Sequence, residues 1–195
     1  MEGTVGQNYT QEQMMAIQAA ILDEREYLLT KMPCEEFIEN YVFIENKDNL
    51  GDPVIKFHMW EGQKTALQEM IENRLVIILK ARQPGFTWLV LSMLMHYALQ
   101  NRGFRAICVS ETDDKSKDLI NRCELILFKL PDWLIVSEEN FRKYERMHGR
   151  GSFRGLYYVK SVHDVQIVRA GEGIETISTI EAEPSTEGAG RSLTD

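Results

Sequence analysis

The stretch Leu75–Gln100 decides the fold of this chain, and it has three parts. It begins with Leu75-Val76-Ile77-Ile78-Leu79, continues with Lys80-Ala81-Arg82-Gln83-Pro84-Gly85-Phe86-Thr87, and ends with the run Trp88–Gln100. The first part is short, apolar and rich in β-branched residues, which predicts a strand buried on both faces. The last part is apolar on nearly every side and too long for a strand, which predicts a buried helix.

The loop between these two elements has the parts of a phosphate-binding loop in an unusual order. A helix start offers free backbone N–H groups and a positive dipole end. Gly85 lets the backbone approach a phosphate closely, and the Thr87 hydroxyl is suited to ligate Mg²⁺. The general pattern G-x-x-x-x-G-K-[ST] places Lys80 on its first glycine and Phe86 on its lysine, so a strict search rejects the loop. Lys80 or Arg82 would supply the missing charge, and Arg82 would add a bidentate fork.

Length and composition are those of one soluble globular domain. The chain has 195 residues, enough for a real core, and 44% of them are hydrophobic. A net charge of −8 means that a nucleic-acid partner would have to meet a local basic patch or an oligomer. The three cysteines form no CxxC pair and predict neither a disulfide framework nor a zinc site. Without a signal peptide or an apolar run of ~18 to 20 residues, we expect a cytoplasmic protein and no membrane span.

Upstream of the central stretch, we predict an N-terminal tail and packing helix over residues 1–33. Residues 1–9 have the composition of a disordered tail, and Thr10-Gln11-Glu12-Gln13 is a capping box that opens a helix to about Met32. Pro33 ends this helix. The elements predicted next are a short helix at Cys34–Asn40, strands at Tyr41–Ile44 and Val54–Met59, and a helix at Glu61–Asn73.

The start of that last helix carries two residues suited to bind adenine. The amide of Gln63 can donate to and accept from the edge of the base, and Trp60 can stack on its face. A glutamine at a helix start is most often an ordinary surface residue, and both interpretations stay open. The position of Gln63, twelve residues before the apolar strand, favours a link with the loop.

Downstream, a second buried strand is predicted at Phe104–Ser110 and a helix from Thr112 to about Leu130. Strand, helix and strand in this order form a βαβ unit, so we expect a parallel sheet with a right-handed crossover. Further strands are predicted at Tyr157–Val159, Val165–Val168 and Glu175–Ile180, with a loop or flexible end over Glu181–Asp195.

The most basic window of the chain is Phe141–Arg154, with four arginines, one lysine and interleaved aromatic residues. Such a segment can grip phosphates. The simpler interpretation is a solvated loop with incidental arginines.

The segment Lys80–Trp88 resembles the variant Walker A loop of large terminase subunits, the ATPases that pump DNA into the capsids of tailed bacteriophages. In that family the loop cation is often moved to the front, as it is here. Trp60-Glu61-Gly62-Gln63 is similar to the family's adenine-recognising Q motif. Other segments that resemble the family are the lead-in Cys34–Tyr41, the strand and helix at Phe104–Asp118, Leu130–Leu134 and the loop from Glu183 to Arg191.

This resemblance implies an α/β fold over residues 34–195, namely a P-loop NTPase (RecA/ASCE-like) with a parallel-sheet core and flanking helices. It implies ATP and Mg²⁺ as cofactors. The implied partners are double-stranded DNA, a portal ring and a small terminase subunit, in a homo-oligomeric ring in the host bacterial cytoplasm. The core is expected to be incomplete at its C-terminus, because no apolar Walker B strand ending in Asp-Glu follows the second strand, and the nuclease domain is absent. A sheet that lacks such a strand keeps an open edge, which invites pairing with another chain.

The resemblance also implies a role for each site residue. Lys80 and Arg82 neutralise the β- and γ-phosphates, and Thr87 holds Mg²⁺. Backbone N–H groups come from Gln83, Gly85 and Phe86, while Gln63 and Trp60 take the adenine. Arg191 is a candidate for an arginine that acts on a neighbouring subunit, although a cation in a flexible tail explains it equally well.

Two other functions stay open. A helicase-like module, or a nucleotide-binding domain without a motor role, also pairs a Q motif with a phosphate loop, but helicases usually keep a lysine where Phe86 stands. A non-catalytic assembly module with a vestigial ATPase core fits the missing acidic strand. Loss of the carboxylate that orients water should cost several orders of magnitude in rate, so we expect weak nucleotide binding and no appreciable hydrolysis by this chain alone.

Overall fold

The computed structural model describes residues 10–46, 51, 53–79, 85–171 and 176–185, and within them the chain is an α/β protein. The helices are α1 (Gln11–Thr30), α2 (Cys34–Tyr41), α3 (Glu61–Glu72), α4 (Phe86–Gln100), α5 (Asp113–Lys129) and α6 (Glu138–His148). The strands are β1 (Phe43–Glu45), β2 (Val54–Lys56), β3 (Arg105–Ser110), β4 (Ile135–Ser137), β5 (Gly155–Lys160), β6 (Asp164–Ala170) and β7 (Thr176–Pro184).

The main sheet is mixed rather than parallel, which corrects the predicted parallel-sheet core. Its order is β3-β7-β6-β5-β4, and β1 and β2 form a separate antiparallel pair. The pairs β3–β7 and β4–β5 are parallel, whereas β6 runs antiparallel to both β5 and β7. The reason is the spacing of the strands in the sequence: only a few residues separate β5 from β6 and β6 from β7. Strands joined by so few residues can pair only as antiparallel neighbours, because parallel neighbours need a long crossover.

The strand predicted at Leu75–Leu79 is wrong: the segment belongs to neither sheet. Leu75, Ile77 and Leu79 expose 84%, 82% and 95% of their surface, while Ile78 turns inward and packs against the main core. Backbone N–H and C=O groups in an extended segment need partners from another strand. The predicted βαβ unit is therefore present only as α4 followed by β3.

Helix α4 lies in the centre of the core, as its sequence predicts. It contacts α1, α2, α3, α5 and β7, and Leu89, Met95 and Leu99 are completely buried. Complete burial of such a side chain is worth about 1.5–3 kcal/mol relative to exposure. Apolar residues from one face of the sheet pack into the same cluster, among them Leu156, Tyr158, Ile167, Ile180 and Ala182.

Two polar side chains of α4 also complete the end of α1. His96 Nε2 lies 2.8 Å from the Met32 carbonyl oxygen, which can only accept, so Nε2 carries the proton. Gln100 Nε2 donates to the carbonyl oxygens of Leu28 and Met32, each at 2.9 Å. The last carbonyls of a helix lack partners within it. Gln100 supplies one for Leu28 in the last turn of α1, and the Met32 carbonyl lies just beyond the helix.

Helix α1 packs on the core only through its C-terminal part. Residues 11–20 are all exposed, including the apolar side chains of Met14 and Ile17. Only Leu28 is buried within the helix. The predicted capping box is confirmed, because the Thr10 hydroxyl accepts the Gln13 N–H and the Gln13 side chain accepts the Thr10 N–H.

The first half of the basic window is helix α6, not a solvated loop. Ser137 caps it by accepting the Asn140 N–H at 3.3 Å, and Glu138 and Glu139 occupy its first turn, where negative charge is favoured. Phe141 stacks on Tyr157 with ring centroids 3.9 Å apart and an interplanar angle of 4°, so α6 covers the second face of the sheet at β5. This cap was the overlooked sequence signal.

The end of β7 also differs from the prediction. The strand was expected to stop at Ile180, yet it continues to Pro184 in parallel register with β3. Glu181 and Glu183 therefore lie on a strand, and only the residues after Ser185 remain of the predicted loop, outside the described residues.

Candidate functional site

The starts of α3 and α4 adjoin, and their first residues form the candidate site. The rings of Trp60 and Phe86 meet edge to face, with centroids 6.1 Å apart and an interplanar angle of 89°. A methyl group placed on Gly85 would lie 2.9 Å from Gln63 Nε2. Four residues selected from two separate sequence motifs thus meet at one place.

Gly85 occupies a position that only glycine fits well. Its φ of 71° lies in the left-handed region, where it forms the N-cap of α4, and side chains strain this conformation. The neighbouring Gln63 amide closes the space where a Cβ would lie. The turn into α4 is therefore set by backbone conformation and by contact with α3.

Gln63 is an internal residue of this site rather than an ordinary surface glutamine. It exposes only 2% of its surface. Its backbone N–H donates to the Trp60 carbonyl oxygen at 2.8 Å, and its Oε1 accepts the Trp60 N–H at 3.2 Å. This reciprocal pair fixes the chain as it enters α3.

Trp60 lies flat over the first turn of α3 because Gly62 leaves room for it. A methyl group on Gly62 would lie 2.0 Å from Trp60 Cζ3. The indole remains 53% exposed, which is unusual for so large an apolar side chain. An exposed ring held at a helix start is suited to stack on a planar ligand.

A carboxylate that sequence reasoning did not select anchors the segment before α3. Glu39 of α2 accepts the Met59 N–H at 3.0 Å and lies 3.1 Å from His58 Nδ1. Lys64 Nζ lies 2.9 Å from Glu35 and 3.9 Å from Glu39. Burial opposes ionisation of Glu39, but the hydrogen bonds from His58 and Met59 and the charge of Lys64 outweigh it and hold its pKa below the usual value. No local pattern marks Glu39, because its partners lie about twenty residues away.

Thr87 lies in the first turn of α4, half-buried, on the wall of an apolar groove of about 480 Å³. The opposite wall is formed by Ile107 and Val109 of β3, and Ile78 closes one side. Glu181 and Glu183 of β7 lie on the same face of the sheet as their register partners Ile107 and Val109. This face is opposite to the one on which Ile180 and Ala182 pack in the core with α4. In the part of the chain that the structure describes, no three His, Cys, Asp or Glu side chains are grouped to hold a metal ion.

The electrostatics of the α4 start favour an anion. No acidic residue lies in its first turn, so the positive end of the helix dipole is not compensated within the helix. Arg122 of α5, also missed from the sequence, lies 5.2 Å from the centre of the Trp88 ring, a cation–π distance, and 2.6 Å from Asp118. The other predicted site residues, Lys80, Arg82, Gln83 and Arg191, lie outside the described residues.

Comparisons with protein-family models and with curated proteins find no match to this chain. Its resemblance to large terminase subunits therefore rests on the sequence motifs alone. Among the described helices, none is both long and apolar enough to cross a membrane.

Proposed function

We propose that this chain is the ATP-binding portion of a large terminase subunit, a P-loop ATPase that couples ATP hydrolysis to translocation of double-stranded DNA into a procapsid. The observation that supports this most directly is the meeting of Trp60, Gln63, Gly85 and Phe86. The Q-like motif and the loop motif are separate in sequence, and a nucleotide site needs them side by side.

In this proposal the adenine and the phosphates occupy the two adjoining helix starts. The base stacks on the exposed face of Trp60, an interaction worth about 1–3 kcal/mol per base, and its edge meets the Gln63 amide. The phosphates lie against the first N–H groups of α4, with Lys80 and Arg82 as their cations and Gln83, Gly85 and Phe86 as backbone donors. Thr87 ligates the Mg²⁺ that accompanies ATP.

Hydrolysis is expected to need groups beyond those gathered here. The described carboxylates of β7 lie on the face of the sheet away from α4, and transfer of a phosphoryl group depends on positioned charge and an oriented water. We therefore expect ATP–Mg²⁺ binding without appreciable turnover by this chain alone. A homo-oligomeric ring, a portal ring and a small terminase subunit are the partners of the proposed motor, and Arg191 is its candidate trans-acting arginine.

Titration with a fluorescent ATP analogue in the presence of Mg²⁺ tests the proposal. Lys80→Ala and Arg82→Ala should each weaken binding at least about tenfold, as expected for loss of a charged hydrogen bond. Lys143→Ala removes an exposed lysine of α6 and should leave the affinity unchanged. Equal effects of all three substitutions would mean non-specific attraction of the anion. Steady phosphate release that Thr87→Ala abolishes would overturn the expectation of no turnover.

A non-catalytic assembly module is the second candidate, and the apolar groove beside β3 favours it. In that case the nucleotide site is vestigial and the groove takes a strand of another chain. Absence of analogue binding at any accessible concentration would support this function over the ATPase portion. A helicase-like module would bind the analogue as well, and it is separated from the terminase proposal by DNA-dependent activity without capsid components.

A further inference from the structure

A second cavity lies where α1 crosses β5 and β6. It has a volume of about 390 Å³, within the range of small-molecule pockets. Three arginines line it: Arg25 of α1, Arg154 just before β5 and Arg169 of β6. The same lining contains one carboxylate, Glu26, and the apolar side chains of Leu29 and Leu156. None of these residues belongs to the candidate nucleotide site.

Two glycines make room for two of the arginines. A methyl group on Gly171 would lie 2.1 Å from Arg154 Cδ and 2.9 Å from its Nε. A methyl group on Gly155 would lie 3.2 Å from a terminal nitrogen of Arg25. Both guanidinium-bearing side chains thus lie against bare backbone, and a larger residue at either glycine would displace them.

Backbone carbonyls orient Arg154 without neutralising it, and a backbone carbonyl also orients Arg169. Arg154 donates from one terminal nitrogen to the carbonyl oxygens of Gly151 and Phe153, at 2.6 and 3.0 Å. Arg169 donates to the carbonyl oxygen of Leu99. A carboxylate partner would cancel the charge of a guanidinium, whereas a carbonyl leaves it at +1. Arg154 is therefore held in place and keeps its positive charge.

One donor of the Arg25 guanidinium, the buried Nε–H group, lacks a hydrogen-bond acceptor among the described residues. Within the same ranges, neither Arg25 nor Arg154 forms an ion pair with a carboxylate. A buried donor without an acceptor is costly. Because Nε is closed to solvent, a ligand in the cavity would be met by the terminal nitrogens of Arg25, one of which lies near Gly155.

We propose that this cavity binds a small phosphorylated molecule, with its phosphate between Arg25 and Arg154 and its apolar part against Leu29 and Leu156. The planar guanidinium fork matches two oxygens of one phosphate, and two such forks suit a dianion better than a single carboxylate. A pocket closed on one side by a helix and on the other by a sheet suits a small molecule rather than a nucleic-acid strand.

Titration of the full chain with inorganic pyrophosphate, without Mg²⁺ and at low ionic strength, tests this by calorimetry. We expect saturable binding that Arg25→Gln and Arg154→Gln each weaken by about tenfold or more. Gly171→Ala should weaken it as well, because it displaces Arg154 without removing a charge. Arg105→Gln, which removes an exposed arginine of β3, should have no effect. If Arg25→Gln does not fold, Arg154→Gln and Gly171→Ala decide the outcome.

The phosphate loop is the competing location, and Lys80→Ala separates the two. Binding that Lys80→Ala removes and the pocket variants leave intact would overturn the inference while supporting the nucleotide proposal. Absence of any pyrophosphate binding, or equal binding of malonate, would overturn it too. If a single-stranded oligonucleotide binds through the same arginines and pyrophosphate does not, the ligand is a nucleic acid and the small-molecule assignment is wrong.

Discussion

Helix α4 and the segment Leu75–Leu79 are equally apolar neighbours in the chain, yet they have opposite surroundings. In α4, Leu89 and Leu99 are completely buried, whereas Leu75 and Leu79 expose 84% and 95% of their surface. A helix makes its backbone hydrogen bonds within itself, so it can enter a core alone. An extended segment must take its bonds from a neighbouring strand, so its burial depends on another piece of chain.

The edge strand β3 also shows that an extended segment depends on a neighbouring strand for its hydrogen bonds and its burial. Within the described residues it pairs only with β7, and its outward residues Ile107 and Val109 expose 42% and 63% of their surface. The groove between β3 and Ile78 is apolar. Edges of this kind associate with other chains unless charge or a bulge prevents it.

Truncation of a large side chain should reveal the greatest difference between α4 and the segment Leu75–Leu79. Leu99→Ala in α4 should lower the free energy of unfolding by about 2–5 kcal/mol, because it opens a cavity in the core. Leu79→Ala should change it by no more than about 0.5 kcal/mol, as expected for an exposed position. Urea unfolding followed by circular dichroism measures both. Similar losses for the two variants would mean that Leu75–Leu79 is buried by a partner in solution.

The turn that joins the two regions can be broken at Gly85. Gly85→Ala should destabilise the chain by about 1–3 kcal/mol, from left-handed strain and from the contact with Gln63. Gly103→Ala is the matched control, since its φ is also 71° and the nearest atom to the added methyl group, Thr176 Cγ2, lies 4.0 Å away. Strain alone acts there, so its cost should be smaller and analogue binding should persist. Equal costs would show that Gln63 yields to the methyl group.

The pH dependence of stability tests the buried end of α4. Burial lowers the pKa of His96, and the hydrogen bond to the Met32 carbonyl opposes this only in part. The unfolded chain then binds the proton more readily than the folded one, so stability should fall as pH drops below about 6.5. His96→Gln keeps a donor for Met32 and should flatten the curve between pH 7 and 5.5. An unchanged slope would assign the effect to another group.

A smaller pH-dependent change in stability is expected at Glu39, which lies beside the start of α3. Against the effect of burial, its pKa is lowered by hydrogen bonds and a nearby charge, whereas the pKa of His96 is lowered by burial. The folded pKa of Glu39 is lowered, so its contribution is present above the unfolded value near pH 4.5 and is lost as pH falls through the folded value. Unfolding of wild type and Glu39→Gln should therefore differ at pH 7 and converge towards pH 3. Asp23→Asn removes an exposed carboxylate from the middle of α1 and serves as the control. A difference that persists at pH 3 would exclude the charge as its cause.

A substitution in the exposed edge strand β3 should alter self-association while changing stability the least. If β3 pairs with another copy, Val109→Lys should abolish the concentration-dependent increase in mass measured by light scattering, because a charge blocks the edge. Val162→Lys alters a turn residue of similar exposure, 58%, and should leave association unchanged. A wild-type monomer at high concentration would remove self-pairing through this edge.

Features that depend on nearby residues could be predicted from the sequence. Helices α3, α4 and α5 follow from periodicity and caps, and the neighbourhood of Gln63 and Gly85 follows from matching two motifs to one family. The prediction of a strand at Leu75–Leu79 was wrong because a strand needs a pairing partner from elsewhere in the chain, and none of the described strands pairs with this segment. The mixed sheet depends on which strands meet, and β4 has only three residues, too few to show a period.

The anchor Glu39 and the arginine cavity could not be predicted from the sequence, and the physical reason is the same for both. Glu39 joins α2 to the segment before α3, and Arg25 meets Arg154 only after α1 has crossed the sheet. Of the left-handed glycines Gly85 and Gly171, the first could be recognised from the sequence because it lies in a Pro-Gly pair typical of a turn. The second could not, because only the Arg154 side chain that lies against it explains the glycine.

Helix α1 is fixed at one end only, like a cantilever, because Gln100 and His96 bind the carbonyl oxygens of Leu28 and of Met32 just beyond the helix. One end is clamped to α4 and, through Tyr27 and Glu36 at 2.8 Å, to α2. The other end projects over residues 11–20, which are exposed throughout. Amide hydrogen exchange should therefore slow progressively from Gln11 towards Thr30. The arginine cavity lies against the C-terminal half of α1. A ligand bound there should extend protection from amide hydrogen exchange towards the N-terminal end of the helix.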